Sequence, residues 1–375
     1  MSSPPTSSGE QPLTKKQKKN LHFPSLPDDL VVRCLARVSR LHYPTLSLVS
    51  KSFRSLLASP ELYKVRSLLH RTESCFYVCL RFPPDPNPRW FTLCRRPNRT
   101  NKKSTDNLLV PIPSPPFPPA RWSSDVVVGS DIYSIGGTIN DVSSSNVLIL
   151  DCRSHTWQQA PSMLMARDHP TANVLDGKIY VAGGCNVPDS SNWIEVFDPK
   201  IKTWKPVTSP GAEMCGSDTI VSTEIDGKVY MYGGYKGVAF NPKEGTCEPV
   251  DWNMCKGWVW FSSCVIDNVL FYYDDGVFKW FDTNVRLWRS LKGVKGLPKF
   301  PSHSRVKLAG YGEKMVVLWD MYYGASGYRE RKIWYAEIVL ERRSTKEIWG
   351  KVELFDAVLK IPESYEFVCV LAAIV

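Results

Sequence analysis

The usual signatures of membrane insertion and catalysis are missing from this 375-residue chain. No run of about 18 apolar residues occurs, so no segment reads as a membrane span. The N-terminal stretch MSSPPTSSGEQPLTKKQKK has no apolar core and does not read as a secretory signal. No Gly-x-Ser-x-Gly, P-loop or zinc-ligand spacing is present. The 11 cysteines include no Cys-x-x-Cys pair. In the reducing compartment expected without a signal, they read as packing residues rather than a disulfide framework. Cys75 and Cys79 fit this, falling on one face of a strand-like run.

Positive charge is missing from most of the chain, although the net charge is +10. Residues 1–70 hold 11 Lys and Arg against 4 Asp and Glu, and residues 71–120 hold 8 against 3. The remaining 255 residues hold 28 against 30. Nucleic-acid binding needs a basic stripe on a folded domain, so nucleic acid is not expected as a partner. What the chain does have is 13 Trp, 29 Pro and 43% hydrophobic residues, enough for a substantial core of packed strands.

Residues 1–23 are polar and aperiodic, reading as a disordered tail whose Lys15, Lys16, Lys18 and Lys19 could also serve nuclear import. Residues 24–70 read as three short helices. Pro27 suits a first helical position, with Asp28 and Asp29 where the helix dipole favours anions. Leu30, Cys34, Leu35 and Val38 form one apolar stripe. Pro44 opens a second helix carrying Leu46, Leu48, Val49, Phe53, Leu56 and Leu57, and Ser59-Pro60-Glu61 opens a third. Such a small unit carries more apolar surface than it can bury alone, which marks an interface. Residues 96–120, rich in Pro, read as a connecting loop or polyproline stretch.

The helical segment resembles the F-box. Leu26-Pro27-Asp28-Asp29-Leu30, Cys34-Leu35, Val38, Pro44-Thr45-Leu46 and Leu48-Val49-Ser50-Lys51-Ser52-Phe53-Arg54 follow that family's order and spacing, with Phe53 where the family usually has Trp. The resemblance implies docking to a Skp-type adaptor and through it to the cullin and RING subunits of a ubiquitin ligase. The implied docking residues are Leu26, Pro27, Leu30, Leu35, Leu46, Val49 and Phe53.

Residues 121–360 repeat. Each copy has a strand ending in Gly-Gly, a strand ending in Asp, and a Trp beyond. The copies run Tyr133, Gly136-Gly137, Asp151, Trp157; then Tyr180, Gly183-Gly184, Asp198, Trp204. The third has Tyr230, Gly233-Gly234, Asn241 and Cys247; the fourth has Phe271, Asp274-Asp275, Asp282 and Trp288. Aromatic to Gly-Gly is 3 residues and Asp to Trp is 6 in all four copies. A degenerate fifth copy runs from Met315 through Trp334 to Trp349. Periods of 40–50 residues with four short strands indicate propeller blades, and the order Gly-Gly, aromatic-Asp, Trp resembles kelch repeats. The boundaries read as 121–167, 168–214, 215–256, 257–300 and 301–360. A sixth blade is expected from both ends of the chain, 74–95 outside and 365–375 inside, which would remove exposed edges. The expected fold is thus a small all-α F-box domain followed by an all-β six-bladed kelch propeller over 71–375. This arrangement resembles the plant F-box/kelch-repeat proteins, in which the propeller captures a protein for ubiquitination.

Kelch-like propellers also host copper enzymes, which need converging His and Tyr ligands. Of the six histidines only His155, His169 and His303 fall in the repeats, without ligand spacing. His155 reads as an exposed turn residue. Asp274 and Asp275, adjacent on a strand, point to opposite faces and read as a turn rather than a carboxylate pair. The expectation is a non-enzymatic adaptor in cytoplasm or nucleus, without cofactor, metal or membrane contact. A kelch scaffold unconnected to a ligase and a metal-dependent propeller enzyme are the alternatives. Candidate substrate contacts are the loops after two glycine pairs, Thr138–Ser145 and Cys185–Asn192, with Tyr235 and Tyr322 at the stretches 235–237 and 322–331, and Arg167 and Arg305 near blade starts.

Overall fold

The computed structural model describes residues 26–95, 107–118, 120–185, 193–209, 219–233, 236–250, 253–255, 262–301, 304–323 and 330–375. The Lys-rich tail and Tyr235 lie outside them. The described chain opens with four helices, α1 (Asp28–Leu35), α2 (Tyr43–Leu46), α3 (Lys51–Leu57) and α4 (Pro60–Leu68), and continues as strands. The strands form six four-stranded antiparallel sheets, the six blades of a propeller. No described helix is long and apolar enough to cross a membrane.

The helical head departs from three helices because Ser50 interrupts the second. Its backbone is extended (φ −159°) and its side chain accepts from Phe53 N at 3.0 Å, capping α3 as a separate helix. Pro27 sits one position earlier than expected, as the N-cap of α1, its carbonyl accepting from Leu30 and Val31.

Blade 1 combines Glu366–Ile374 with Ser74–Arg81, Arg89–Arg95 and Asn107–Pro111, in that order from the edge strand. Asn107–Pro111, expected to be loop, is thus the outer strand. Its run Leu108-Leu109-Val110 pairs with Arg89–Arg95 despite the Pro-rich sequence that follows. Blades 2 to 6 span residues 124–160, 171–207, 219–249, 263–290 and 307–361.

The core lies between blades. In Ser74–Arg81, Phe76, Val78 and Leu80 pack with blade 6, while Tyr77 and Cys79 pack with blade 2. Burial on both faces explains why the run is continuously apolar rather than alternating.

The repeat motif has a local explanation at each position. The side-chain oxygens of Asp151, Asp198, Asn241 and Asp282 accept from the backbone N–H two residues on, at 2.8, 3.0, 3.1 and 3.1 Å. Asn241 therefore does the same work as the aspartates. Four residues after each stands a left-handed residue, His155, Lys202, Gly245 or Arg286. The Trp follows two residues later, and its indole N–H crosses to a backbone carbonyl just beyond the fourth strand of the preceding blade. Trp157 reaches Pro113, Trp204 reaches Pro161 and Trp288 reaches Asn253, at 2.8, 2.8 and 2.6 Å. The fixed spacing of six thus joins a hairpin turn to an interblade hydrogen bond.

The glycine pairs answer a close approach. A Cβ on Gly184 (φ +67°) would sit 2.0 Å from the Asp168 carbonyl oxygen, and one on Gly137 would sit 2.2 Å from that of Arg121. Gly184→Ala is expected to cost about 2–5 kcal/mol in denaturant unfolding, combining left-handed strain with overpacking. Gly177→Ala, with φ +73° and open space around it, isolates the strain alone and should cost about 1–2 kcal/mol. Equal losses at the two sites would contradict the close-approach explanation.

Candidate functional site: a helical head and the opposite propeller face

The head is joined to the propeller through a shared interior. Val32, Leu35, Ala36, Tyr43, Leu57, Leu62 and Tyr63 belong to one buried cluster with Tyr77, Trp90, Ile132, Leu150, Cys152, Ala373 and Val375. The head thereby extends the core between blades 1 and 2. Polar links reinforce it. Tyr63 Oη donates to the Arg153 carbonyl at 2.8 Å, and Arg40 Nη2 donates to the Cys152 carbonyl at 2.8 Å. Glu73 accepts from Ser39 Oγ at 2.7 Å and from Arg66 of α4, while its backbone pairs with Val375 at 2.8 Å in both directions.

His155 belongs to this junction rather than to solvent. It is half-buried, with Nε2 3.1 Å from Tyr77 Oη. Burial, assisted by the Arg40 charge, pushes its pKa down to about 4.

Of the docking residues implied by the family pattern, the structure leaves Leu26, Leu30 and Val49 exposed, at 61, 43 and 63%, and adds Leu48 at 78%. Cys34 and Pro27 are also exposed. Leu46 and Phe53 are half-buried against the head's interior. Leu35 is 5% exposed and belongs to the core, so it supports the helices and offers no surface of its own. The helical period that put Leu35 in one stripe with Leu30 could not separate an inward edge from an outward one.

Antiparallel strands send successive connections to alternate ends of each blade. The head contacts the third-to-fourth turn of blade 2 at Cys152 and Arg153, so it occupies one face. Gly136-Gly137, Gly183-Gly184, Trp122, His169, Arg305 and Tyr322 lie in or beside second-to-third and blade-to-blade connections, at the opposite face.

Two assemblies stand out there. Trp122 and His169 occupy equivalent places before blades 2 and 3, both left-handed (φ 57° and 51°), and their rings stack with centroids 4.2 Å apart. Trp122 is 48% exposed, and His169 Nδ1 lies 2.6 Å from Asp168 Oδ1. A bulky Trp is uncommon in this backbone region, whereas His enters it more readily. The sequence reading missed Trp122, whose signal was a lone Trp outside the repeat spacing. In the second assembly, Asp320 Oδ1 accepts from Arg305 N and its Oδ2 from Arg331 Nη1, both at 2.6 Å. Arg331 also bonds Tyr322 Oη and lies 4.2 Å over its ring, while Arg305 lies 4.9 Å over Tyr365. Arg305, by its backbone N–H, and Tyr322 are therefore linked through Asp320 and Arg331.

Arg167 does not join them. It is fully buried, as is its partner Glu195, with Nη2 to Oε1 at 2.9 Å. Its Nη1 donates to the carbonyls of Gly183 and Trp193 at 2.7 and 3.1 Å, and Glu195 accepts from the N–H of Leu164 and Met165. Arg167 is an interior tie between blades 2 and 3, without surface to offer a substrate.

Asp275 lies in a left-handed turn (φ 38°), and Asp274 pairs with Lys279 at 3.1 Å. Among the described residues no three His, Cys, Asp or Glu side chains converge as metal ligands.

Comparison with known proteins agrees with this architecture. Residues 23–65 match the F-box domain family, and residues 90–359 match the family described as FKB95, Kelch-repeats domain. The F-box/kelch-repeat protein At4g39550 of Arabidopsis thaliana is 55% identical over 367 residues, covering 93% of each chain. The F-box/kelch-repeat protein At4g39580 of the same plant is 54% identical over 374 residues, covering 98% of this chain and 100% of its own. With both domains matched in order and identity above one half along nearly the whole length, this chain belongs to the F-box/kelch-repeat family.

Proposed function

We propose that this protein is a substrate-recognition adaptor of an SCF-type ubiquitin ligase: the head docks a Skp-type adaptor, and through it cullin and RING subunits, while the propeller captures a protein substrate. The observation that carries this reading is the exposure of the apolar residues Leu26, Leu30, Leu48 and Val49 on a head whose inner side is already used against the propeller. Apolar groups kept in water on a helical unit mark a docking surface. The protein contributes position rather than chemistry. A head packed into the blade core holds the substrate face at a fixed span from the docking surface, raising the effective concentration of substrate near the transferred ubiquitin. The test is co-purification of the full chain with a Skp-type adaptor and cullin. A folded chain that binds neither removes this reading in favour of a free-standing kelch scaffold.

The Trp122–His169 stack is the proposed centre of substrate contact, since exposed, rigid aromatics carry disproportionate binding energy. Trp122→Ala is expected to weaken an isolated substrate by about 2 kcal/mol or more, near thirtyfold, in calorimetry. Unchanged affinity would move the contact to the Arg305–Tyr322 network.

A further inference from the structure

A cavity of about 250 Å³ lies between the helical head and blades 1 and 2, with Tyr311 of blade 6 also in its wall. Leu41, Leu57, Phe76 and Leu93 line it together with Arg40 and Arg54. At liquid density this space suits roughly ten non-hydrogen atoms. It is on the head side of the propeller, away from the face assigned above to substrate.

Its Arg40 charge faces aromatic rings but no free carboxylate: the guanidinium lies 5.8 and 5.3 Å from the ring centroids of Tyr43 and Tyr63. Arg40 Nη2 donates to the Cys152 carbonyl, Nη1 is buried without a hydrogen-bond partner, and the guanidinium makes no ion pair among the described residues. Arg54, an exposed residue at the mouth of the cavity, has no ion-pair partner among them either, its backbone N–H donating to Ser50. The one carboxylate in the wall, Glu73, is occupied by Ser39, Arg66 and the backbone N–H of Arg40. Arg153, also in the wall, is paired with Asp151 at 2.9 Å. The other polar groups add no negative charge at neutral pH. Burial holds Cys94 up to about 11 and Tyr63 up to about 12, and keeps His155 neutral. A buried cation without an anion is costly, and an apolar pocket beside it makes that cost recoverable by a ligand.

We propose that this junction cavity binds a small organic anion, a carboxylate carried on an apolar body, which seats its hydrocarbon between Leu41, Leu57, Phe76 and Leu93 and its charge toward Arg40 and Arg54. The ligand would touch head and propeller at once and bind the native junction in preference to the unfolded chain. It therefore stabilises the orientation between the two parts. The proposal is independent of the ligase reading.

The experiment uses the full chain with four probes: benzoate and octanoate, and their neutral amides, followed by calorimetry and thermal unfolding. The expected result is saturable binding of one or both carboxylates with a rise in midpoint, while the amides bind at least about tenfold more weakly, as loss of a charge-assisted contact requires. Inorganic phosphate, an anion without an apolar body, should leave the midpoint unmoved. Arg54→Gln should weaken carboxylate binding by about tenfold or more. Ala58→Trp, an exposed residue lining the cavity, should abolish binding by filling the space while the apo protein remains folded. The proposal is overturned if no carboxylate binds the folded chain, if amides bind as well as acids, if phosphate alone binds, or if Ala58→Trp retains full affinity.

Discussion

Leu30→Asp combined with Val49→Asp is expected to abolish co-purification with a Skp-type adaptor while leaving the unfolding midpoint of the chain almost unchanged. Both side chains stand in water, at 43 and 63% exposure. Surface changes of this kind shift stability by about 0.5 kcal/mol or less. Within an interface they would be central apolar anchors. Truncation alone should cost on the order of 2–4 kcal/mol each, and a carboxylate forced into the same pocket adds its desolvation. Leu35→Ala provides the contrast. As a core residue packed with Ala36, Leu62 and Tyr63, it should lose about 2–5 kcal/mol of stability, so its effect on binding would come through the fold. Retained binding by the double aspartate variant would show that the exposed head is not the docking surface.

Arg167→Met is expected to destabilise the propeller by about 3–5 kcal/mol in urea unfolding, the range for breaking one side of a buried ion pair. The loss has identifiable parts. Glu195 keeps its bonds from the N–H of Leu164 and Met165 but becomes a buried charge without a cation, and the Gly183 and Trp193 carbonyls lose the Arg167 donor, Trp193 retaining the Gly183 N–H at 3.4 Å. Adding Glu195→Leu should recover part of the deficit, because two apolar groups of similar volume avoid the unpaired charge. A neutral Arg167→Met would return Arg167 to the surface role that its place at a blade boundary first suggested.

The repeat was legible because it is a local device copied four times. An Asp or Asn closing a turn, a left-handed residue and an interblade Trp need only six residues of spacing. The α-helical head was legible from its apolar period, and six blades from the repeat length with the apolar ends of the chain. Other features depended on non-local packing or, in the case of Ser50, on a single local cap. Asn107–Pro111 is a strand because an edge was available on Arg89–Arg95, a fact no local propensity contains. Ser50 split one helix by a cap that is unremarkable in sequence. Arg167 and His155 follow motifs that look like loop chemistry, and their surroundings are set by Glu195 and by Tyr77, 28 and 78 residues away. Trp122 escaped notice because its value lies in the ring it meets, His169, rather than in any repeat of its own.

The pairing of Glu366–Ile374 with Ser74–Arg81 also imposes a schedule. Arg81 and Glu366, which bond across this sheet, are 285 residues apart in sequence. At typical synthesis rates of about 5–20 residues per second, the inner strand of blade 1 emerges roughly a quarter of a minute to a minute after its partner. Through that interval Ser74–Arg81 has a bare edge, and the head lacks Ala373 and Val375 beneath it. The ring and the seat of the helices are completed by the same strand, so a nascent chain acquires its rigid head and its closed propeller in one late event. A chain interrupted before that strand has neither.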